Sequence, residues 1–283
     1  MSRYLITGGE GFIGSKIVSE INGVSFDIKS GLDILNEEQL MHAVGGIEGI
    51  FHCAAKISVP ESVALPKEYH RINVEGTDCV IKAAESERLK IVFSSSAAVY
   101  GGKGDAVSEE SALNPKSPYA QNKVDAEDAL KKSSVPHIAL RYFNVYGPGQ
   151  SAQYAGVITA FIRNALRGDD LIIYGDGNQI RDFVFVNDVV RANVMAMAYR
   201  PLAFEFFNIA SGIETPIKTL AETIVRLTDS KSKIVYEAPR PGDIVYSRAD
   251  VSKAKKTLGW EATTTLEEGL SETISYYKKE LLA

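Results

Sequence analysis

The sequence has few cysteines and no long hydrophobic run. Cys53 and Cys79 are the only cysteines in 283 residues, and their number and spacing fit neither a disulfide framework nor a metal site. Both lie in apolar or helical context, so we expect buried free thiols and no metal. No apolar stretch approaches the roughly 20 residues that a membrane-spanning helix needs. These absences argue against a cystine-stapled secreted domain and against a helical membrane protein.

An excess of positive charge is also lacking. The chain carries 31 Lys and Arg against 36 Asp and Glu, a net charge of -5 at pH 7. Such a balance argues against general binding of nucleic acid, so any anionic ligand must be held by local donors. The first apolar run starts at Tyr4, which leaves no room for a signal peptide. We therefore expect a cytoplasmic protein that has neither nucleic acid nor membrane as a partner.

Strand and helix patterns alternate through the first half of the chain. Buried strands are predicted over residues 49–55, 90–94 and 137–143, with helices over 12–21, 66–86 and 119–132. Hydrophobic residues make up 45% of the chain and charged residues 24%, and no repeat or low-complexity segment interrupts the pattern. The alternation predicts an α/β fold with a Rossmann-type, doubly wound parallel sheet.

Three glycines directly after the first apolar run have a spacing that suits ligand binding. Gly8, Gly11 and Gly14 follow residues 4–7, and an amphipathic segment follows them. Such glycines allow a tight strand-to-helix turn, close approach of the backbone to a pyrophosphate, and close packing of helix on strand. The same spacing also occurs in ordinary turns, but the preceding strand and following helix favour a dinucleotide site.

An acidic residue is expected at the end of the second strand to bind the adenosine ribose, and Asp27 occupies that position. A lone acidic residue after an apolar run is often only a turn residue, but the register with the glycines favours the ribose role. Its carboxylate would repel a 2'-phosphate, which favours NAD over NADP, whereas nearby Lys29 favours the opposite choice. Asp33 and Ile34 are candidates for the adenine rim.

A serine-rich strand end is followed by a Tyr-x-x-x-Lys pair. Tyr119 and Lys123 are one helical turn apart on one face, and Ser96 follows the strand at 90–94. The Lys123 charge, together with a positive nicotinamide ring, is expected to lower the pKa of Tyr119 so that it acts as a base. Tyr and Lys at this spacing are usually a solvated helix face, but their place in a dinucleotide fold favours catalysis.

The second half of the chain is richer in glycine and proline, around 147–149, 175–177 and 240–242, with helices predicted over 156–166, 187–198, 215–227 and 266–279. We expect a dinucleotide domain over 1–145, rejoined by about 178–212, and a smaller C-terminal α/β lobe over 146–283 that binds substrate. Arg181 and Arg240 carry guanidinium forks suited to a diphosphate. The alternative is surface ion pairing with Asp182 and Asp243. Tyr174 is a candidate for stacking on a base, or equally a core residue.

Together these motifs resemble the extended short-chain dehydrogenases/reductases, and within them the NAD-dependent UDP-glucose (UDP-galactose) 4-epimerases. The resemblance covers nearly the whole chain through the segments at 7–14, 52–55, 73–77, 94–101, 140–148, 175–182 and 240–243, with Tyr119 and Lys123 between them. It implies a homodimeric isomerase, paired through helices near 70–88 and 119–132. Such an enzyme inverts a UDP-hexose at C4 through a transient 4-keto sugar while NAD stays tightly bound.

The resemblance also implies roles for individual residues. Tyr119 would be the catalytic acid/base, Lys123 would bind the nicotinamide ribose, and Ser96 would bind the reacting hydroxyl. The NAD site would be lined by Gly8, Gly11, Phe12, Ile13, Gly14, Asp27, Asp33, Ile34, Cys53, Ala54, Ala55, Lys56, Asn73, Ser94, Tyr119, Lys123 and Phe143. The UDP-sugar would be held by Ser96, Asn144, Tyr174, Arg181, Arg240, Asp243 and Ser247, with Ser247 beside the C2 substituent of the sugar.

Two departures from the family pattern affect the prediction. Only five residues separate Asp27 from Asp33, so the third strand must be very short or missing and the adenine pocket more open. Ala97 and Ala98 follow Ser96 where sugar-nucleotide dehydratases and related decarboxylases carry acidic residues, which favours epimerisation. Another nucleotide-sugar epimerase or reductase, or a non-catalytic dinucleotide-binding protein, remains an alternative.

Overall fold

A computed structural model describes residues 4–102, 105–151, 156–200, 204–240 and 244–282. Its strands are β1 (Tyr4–Thr7), β2 (Val24–Phe26), β3 (Gly49–His52), β4 (Lys90–Ser96), β5 (His137–Tyr142), β6 (Asn144–Tyr146), β7 (Leu171–Tyr174), β8 (Ile180–Arg181), β9 (Phe183–Phe185), β10 (Glu205–Ile209), β11 (Thr215–Pro216) and β12 (Ile234–Glu237). Its α-helices are α1 (Phe12–Ile21), α2 (Glu37–Ala43), α3 (Val59–Ala64), α4 (Pro66–His70), α5 (Gly76–Glu87), α6 (Pro118–Lys132), α7 (Val157–Arg167), α8 (Val186–Ala198), α9 (Ile217–Thr228) and α10 (Leu266–Leu282).

Six strands form one parallel sheet in the order β10-β5-β4-β3-β1-β2. The apolar strands are buried on both faces, as expected when helices cover both sides of a parallel sheet. One core packs α2, α5 and α6 against the sheet, and another packs α1, α8 and Trp260 against the opposite face. The predicted doubly wound α/β fold is confirmed.

The order of the strands reverses between β1 and β3, because the chain runs outward from β1 to β2 and then crosses to β3. Ligands of doubly wound sheets bind beyond the carboxyl ends of the strands at such a switch point. The chain leaves β1 at Gly8 and β3 at Cys53, so the predicted glycine turn and the predicted 53–56 segment meet there.

The predicted loss of one strand is confirmed. A short 3-10 turn at Ile28–Ser30 follows β2, and α2 then leads directly to β3, with no strand between them in this fully described stretch. The sheet therefore ends at β2. The segment between Asp27 and α2 is too short to add another parallel strand. Neighbouring parallel strands need a connecting crossover of a dozen or more residues.

The later segments build a third core around α7, α9 and α10, to which β7, β9 and β12 also contribute. They also form the strand pairs β7–β12 and β8–β11. Between these segments, α8 packs on α1 and β10 pairs with β5. The boundary between the two domains stays a prediction. In the described residues no helix is long and apolar enough to span a membrane.

The helix predicted over 66–86 is interrupted in the structure. A π-helical turn at Arg71–Glu75 joins α4 to α5 and carries Asn73.

The expectation of two buried thiols is wrong, because Cys53 and Cys79 are free but only half-buried. Cys79 on α5 packs against the edge of the core, with its thiol 3.9 Å from the Glu37 carboxylate, and Cys53 borders the cleft described below.

Candidate active site

The glycine turn leaves no space for a side chain at Gly8 or Gly14. Gly8 has a φ of +69°, and a Cβ there would lie 2.7 Å from the Ala54 nitrogen. A Cβ on Gly14 would overlap the Gly8 carbonyl oxygen and lie 2.8 Å from the carbonyl carbon. Gly11 precedes α1 without a side-chain cap, so the first N–H groups of the helix are left to bind a ligand.

A cleft with a volume of about 440 Å³ opens beside this turn. Among the residues expected in the two ligand sites, those that line it are Gly8, Gly11, Phe12, Ile13, Gly14, Cys53, Ala55, Ser94, Ser96, Tyr119, Lys123, Phe143, Asn144, Arg181 and Ser247. The glycine turn, the end of β4, the start of α6 and the segment around Ser247 therefore converge on one cavity.

Asp27 lies next to the glycine turn, buried to 7% exposure. Its carboxylate accepts hydrogen bonds from the main-chain nitrogens of Glu10 at 2.9 Å and Lys29 at 3.0 Å. The Lys29 ammonium donates to the Glu10 carbonyl at 2.9 Å. Asp27 thus braces the turn directly, and a carboxylate keeps further acceptor positions for a ribose.

The two residues expected at the adenine rim have local partners. The Asp33 carboxylate accepts from the Leu35 nitrogen at 2.9 Å. The Ile34 side chain is 6% exposed and belongs to the core under α5, where a Cβ on Gly76 would lie 2.6 Å from it. Neither borders the cleft, and their adenine contact stays a prediction.

Asn73 fixes the segment that follows β3. Its side chain accepts from the Lys56 nitrogen and donates to the Lys56 carbonyl, both at 2.8 Å. The Lys56 ammonium pairs with Glu61 at 3.3 Å and Glu68 at 2.7 Å. Asn73, Ala54 and Lys56 therefore lie behind the lining of the cleft, whereas Cys53 and Ala55 form part of it.

The Ser-Tyr-Lys constellation is assembled at the start of α6. Ser117 caps this helix by accepting from the Ala120 nitrogen, and Pro118 occupies its first turn, which is a favourable start for a helix. Tyr119 and Lys123 are buried to 9% and 4% exposure. The Lys123 ammonium donates to the Ser94 carbonyl at 2.7 Å and lies 4.7 Å from the centre of the Phe93 ring.

Burial is the largest influence on the pKa values of both Tyr119 and Lys123. Burial raises the pKa of Tyr119, opposed by its hydrogen bond with Ser96. Burial lowers the pKa of Lys123 to about 8, although Cys53 and Glu127 favour its charged form. The prediction that Lys123 and a positive nicotinamide ring together lower the pKa of Tyr119 stays a prediction, because in the protein alone burial acts against the phenolate and the Lys123 ammonium binds the Ser94 carbonyl.

The far end of the cleft contains Asn144, Arg181 and Ser247. The Asn144 amide donates to the Asp182 carbonyl at 2.8 Å, and the Ser247 nitrogen donates to the Ile180 carbonyl at 3.1 Å. Arg181 donates to the Ile180 carbonyl at 2.9 Å. These contacts fix the β8 segment and its neighbours with their side chains at the cavity.

Asp182 is a buried anchor and not the surface ion-pair partner considered from the sequence. Its carboxylate accepts from the Ser211 nitrogen and hydroxyl and from the nitrogens of Gly212 and Ala249, at 2.7 to 3.2 Å. Burial raises its pKa, and these hydrogen bonds oppose that change.

Tyr174 and Arg240 stack on each other, with the guanidinium carbon 3.6 Å from the centre of the ring. Neither is among the residues that line the cleft. Asp243 lies outside the described residues. The predicted contacts of Tyr174, Arg240 and Asp243 with a UDP-sugar remain predictions.

Comparison with known proteins shows the family of the chain. Residues 4–210 match the model of the NAD dependent epimerase/dehydratase family. The chain belongs to this family. The match extends from β1 to the end of β10, so it includes the glycine turn and the Ser-Tyr-Lys constellation.

Relatives within the epimerase/dehydratase family differ in reaction and sugar. UDP-glucose 4-epimerase from Mycolicibacterium smegmatis is 34% identical over 98% of this chain and 99% of its own length. UDP-N-acetyl-alpha-D-glucosaminuronate decarboxylase from Bacillus cytotoxicus is 32% identical over 98% of each chain. The structure of a UDP-N-acetylglucosamine 4-epimerase from Methanobrevibacter ruminantium superposes with a TM-score of 0.91 at 33% identity, covering 99% of this chain and 100% of the other.

NAD is the cofactor of the family, and the residues present fit it. The glycine turn forms a cradle that a Cβ at position 8 or 14 would fill, and the uncapped start of α1 supplies N–H donors for a pyrophosphate. The buried Tyr119 and Lys123 lie along the same cavity. A dinucleotide in this cleft would therefore extend from the glycine turn to the constellation on α6.

Several cleft residues were not found from the sequence, among them Tyr142, Gln150, Tyr246 and Arg248. Tyr142 ends β5, so the rule that ligands bind at the carboxyl ends of parallel strands would have found it. Tyr246 donates to the Glu214 carboxylate at 2.6 Å and Arg248 pairs with it at 3.2 Å. Gln150, Tyr246 and Arg248 lie in irregular segments, where sequence periodicity gives no signal.

Asp27→Asn is expected to weaken NAD binding and to narrow the preference for NAD over NADP. The substitution removes the charge that repels a 2'-phosphate. The remaining oxygen can still accept from the Lys29 nitrogen, but the amide nitrogen cannot accept from the Glu10 nitrogen, which also weakens the turn. Calorimetry with both cofactors measures the two dissociation constants. If the unaltered protein bound NADP more tightly than NAD, Asp27 would have no place in the ribose site.

Proposed function

We propose that the protein catalyses reversible 4-epimerisation of a UDP-hexose. The observation that carries the proposal is the convergence of the glycine turn, Ser96, Tyr119, Lys123 and Arg181 on one cleft. A dinucleotide and a nucleotide sugar have to share such a cavity if the sugar ring is to meet the cofactor. The chain has suitable donors at both ends and a buried acid/base candidate between them.

Tyr119 is assigned the proton transfer at the C4 hydroxyl, and Ser96 a hydrogen bond to the same oxygen. Lys123 is assigned to the cofactor ribose and to electrostatic support of the Tyr119 phenolate. When bound, NAD supplies the reversible oxidation of the carbon that bears this hydroxyl. Burial raises the pKa of Tyr119 in the protein alone, and the positive charges of Lys123 and of bound oxidised NAD would together favour the phenolate.

Both faces of the sugar must be presented to the same catalytic groups for epimerisation. The bound UDP portion would act as an anchor at Arg181 and Asn144 while the keto sugar turns over within the cavity. Arg240 and Asp243 are proposed as further contacts of the diphosphate and ribose. A guanidinium is well matched to phosphate oxygens, which suits a chain with a net charge of -5.

Ala97 and Ala98 favour epimerisation over elimination or decarboxylation. Both border the cleft directly after Ser96, and a methyl group cannot move a proton. The decarboxylase named among the relatives shows that overall similarity does not choose between these reactions. A purely dinucleotide-sensing protein is disfavoured because it would not need Ser96, Tyr119 and Lys123 together at the cavity.

The direct test is incubation of the purified protein with separate UDP-sugars, followed by chromatographic separation of the products. UDP-glucose, UDP-galactose, their N-acetylated forms and UDP-glucuronate form the substrate set. We expect UDP-glucose and UDP-galactose to interconvert without loss of carbon dioxide or water. Formation of a pentose or deoxy sugar, or no reaction with any member of the set, would contradict the proposal.

Ser247 is proposed as the residue that admits an N-acetyl group at C2 of the sugar. Its small side chain borders the cleft, so UDP-N-acetylglucosamine is expected to react alongside UDP-glucose. Ser247→Tyr should lower kcat/KM for the acetylated sugar much more than for the plain sugar, because the added ring fills space that only the acetyl group needs.

The matched control is Ser252→Tyr, which adds the same ring at an exposed position outside the cleft. It should leave the ratio of the two kcat/KM values unchanged. If Ser247→Tyr also left that ratio unchanged while both activities remained, the gate would lie elsewhere in the pocket.

A homodimer that pairs through α5 and α6, and a cytoplasmic location, remain predictions that accompany the proposed function.

A further inference from the structure

A buried chain of hydrogen bonds connects the two sides of the switch point behind the cleft. His52 Nδ1 lies 2.7 Å from the Thr7 hydroxyl, and His52 Nε2 lies 3.0 Å from the Thr77 hydroxyl. Thr77 donates to the Asn73 carbonyl at 2.7 Å, and the Ala54 nitrogen donates to the Thr7 hydroxyl at 3.4 Å. Thr7, His52, Asn73 and Thr77 are all at most 2% exposed.

The hydrogen atoms in this chain can be assigned by counting donors. The Asn73 carbonyl can only accept, so the single hydroxyl hydrogen of Thr77 is committed to it. Thr77 can then interact with His52 only as an acceptor, which requires a hydrogen on Nε2. In a neutral imidazole Nδ1 is then bare, and it accepts the hydroxyl hydrogen of Thr7.

His52 is neutral in this setting. Burial, together with the positive charge of Lys123, lowers its pKa to about 3. The groups that pack around the ring from β1, α5 and β4 are the hydroxyls of Thr7 and Thr77 and the ring of Phe93, whose centre lies 5.5 Å away. None of these three is a charged partner that would favour imidazolium, and Lys123 opposes it.

This series of hydrogen bonds links the elements that form the candidate cofactor site. Thr7 is the last residue of β1 before Gly8, His52 is the last residue of β3 before Cys53, and Thr77 lies in the first turn of α5. The Asn73 carbonyl is the last acceptor in this series of hydrogen bonds. The Asn73 side chain binds both the main-chain nitrogen and the main-chain carbonyl of Lys56. Its position therefore sets the path of the 53–56 segment.

We propose that His52 is a positioning residue for the NAD site, locked as the Nε2–H tautomer between Thr7 and Thr77. The inference rests on the proposed placement of NAD in the cleft. A fixed donor and a fixed acceptor on opposite sides of one rigid ring hold the glycine turn, the 53–56 segment and the start of α5 in register. Every hydrogen bond in this series is donated in the same direction, so loss of one hydroxyl disturbs the whole series.

Nitrogen-15 NMR of the histidine rings tests the tautomer directly. The chain has four histidines, and substitution of His42, His70 and His137 by Gln assigns the other three signals. We expect His52 to show a protonated Nε2 and a bare Nδ1, with no titration between about pH 5 and pH 8. A protonated Nδ1, or titration within that range, would overturn the assignment.

Thr77→Val and Thr77→Ser test the positioning role. The valine variant removes the acceptor for Nε2–H, so the hydrogen on His52 should move to Nδ1 and be donated to Thr7. The NAD dissociation constant should rise about twofold to tenfold, the factor that corresponds to one hydrogen bond. The serine variant keeps the hydroxyl and should retain both the Nε2–H signal and the affinity of the unaltered protein.

The two proposals fail in different ways. Equal NAD affinity in Thr77→Val and Thr77→Ser, with NAD bound by both, would overturn the positioning role of His52 and leave the proposed function intact. Absence of NAD binding by the folded, unaltered protein would overturn the proposed placement of the cofactor, and the positioning role with it.

Discussion

Tyr119→Phe is expected to lower turnover of UDP-glucose by about a hundredfold to ten-thousandfold, the usual contribution of a general acid/base. The substitution removes the only proton-transferring atom of a side chain that is 9% exposed and borders the cleft. It removes little volume, so the fold and the NAD site should persist. Steady-state kinetics gives kcat, and calorimetry gives the NAD dissociation constant.

Tyr276→Phe is the matched control, because Tyr276 is 42% exposed on α10. It should leave turnover unchanged. If Tyr119→Phe kept near-normal turnover, Tyr119 would not be the acid/base. Loss of NAD binding together with activity would instead indicate that the hydroxyl serves the cofactor site.

Gly14→Ala is expected to weaken NAD binding by about tenfold or more. The new Cβ would overlap the Gly8 carbonyl oxygen and lie 3.1 Å from the Gly9 Cα. These are all main-chain atoms that cannot rotate away, so α1 has to move from the turn. Overpacking of this kind typically costs about 1–3 kcal/mol. The NAD dissociation constant and the melting temperature measure the two consequences.

Gly45→Ala serves as the control for adding one methyl group. Its Cβ would meet only the His42 carbonyl oxygen at 3.6 Å, an ordinary contact far from the glycine turn in sequence. It should leave NAD affinity unchanged. A Gly14→Ala variant that bound NAD as tightly as Gly45→Ala would mean that close packing of α1 on the turn is not needed for the cofactor.

The parallel sheet was predictable because its strands are short apolar runs and its helices have clear amphipathic periods. The missing strand was also predictable, since the short spacing from Asp27 to Asp33 leaves no room for a crossover. The π-helical turn at Arg71–Glu75 was not predictable. No pattern of side chains in the sequence marks a single extra residue in a helical turn.

The candidate site likewise has features that the sequence predicts and features that it does not. Residues tied to strand ends and helix starts, such as Gly14, Ser96 and Tyr119, border the cleft, and their roles there stay predictions. The burial that raises the pKa of Tyr119 was not anticipated, because burial is a property of the packed structure and has no local sequence signal; the lowering expected from Lys123 and NAD together stays a prediction. His52 was noticed as part of a strand and of the segment at 52–55 that resembles the family, but without a role of its own, since its partners Thr7 and Thr77 are distant in sequence.

Retention of the C4 hydrogen tests the central claim most directly. UDP-glucose labelled with deuterium at C4 would be incubated with the protein, and the UDP-galactose product analysed by mass spectrometry and proton NMR. The account predicts that the product keeps the deuterium at C4, with no incorporation of solvent hydrogen on carbon. A product that lost the label to solvent, or a product other than the C4 epimer, would contradict it.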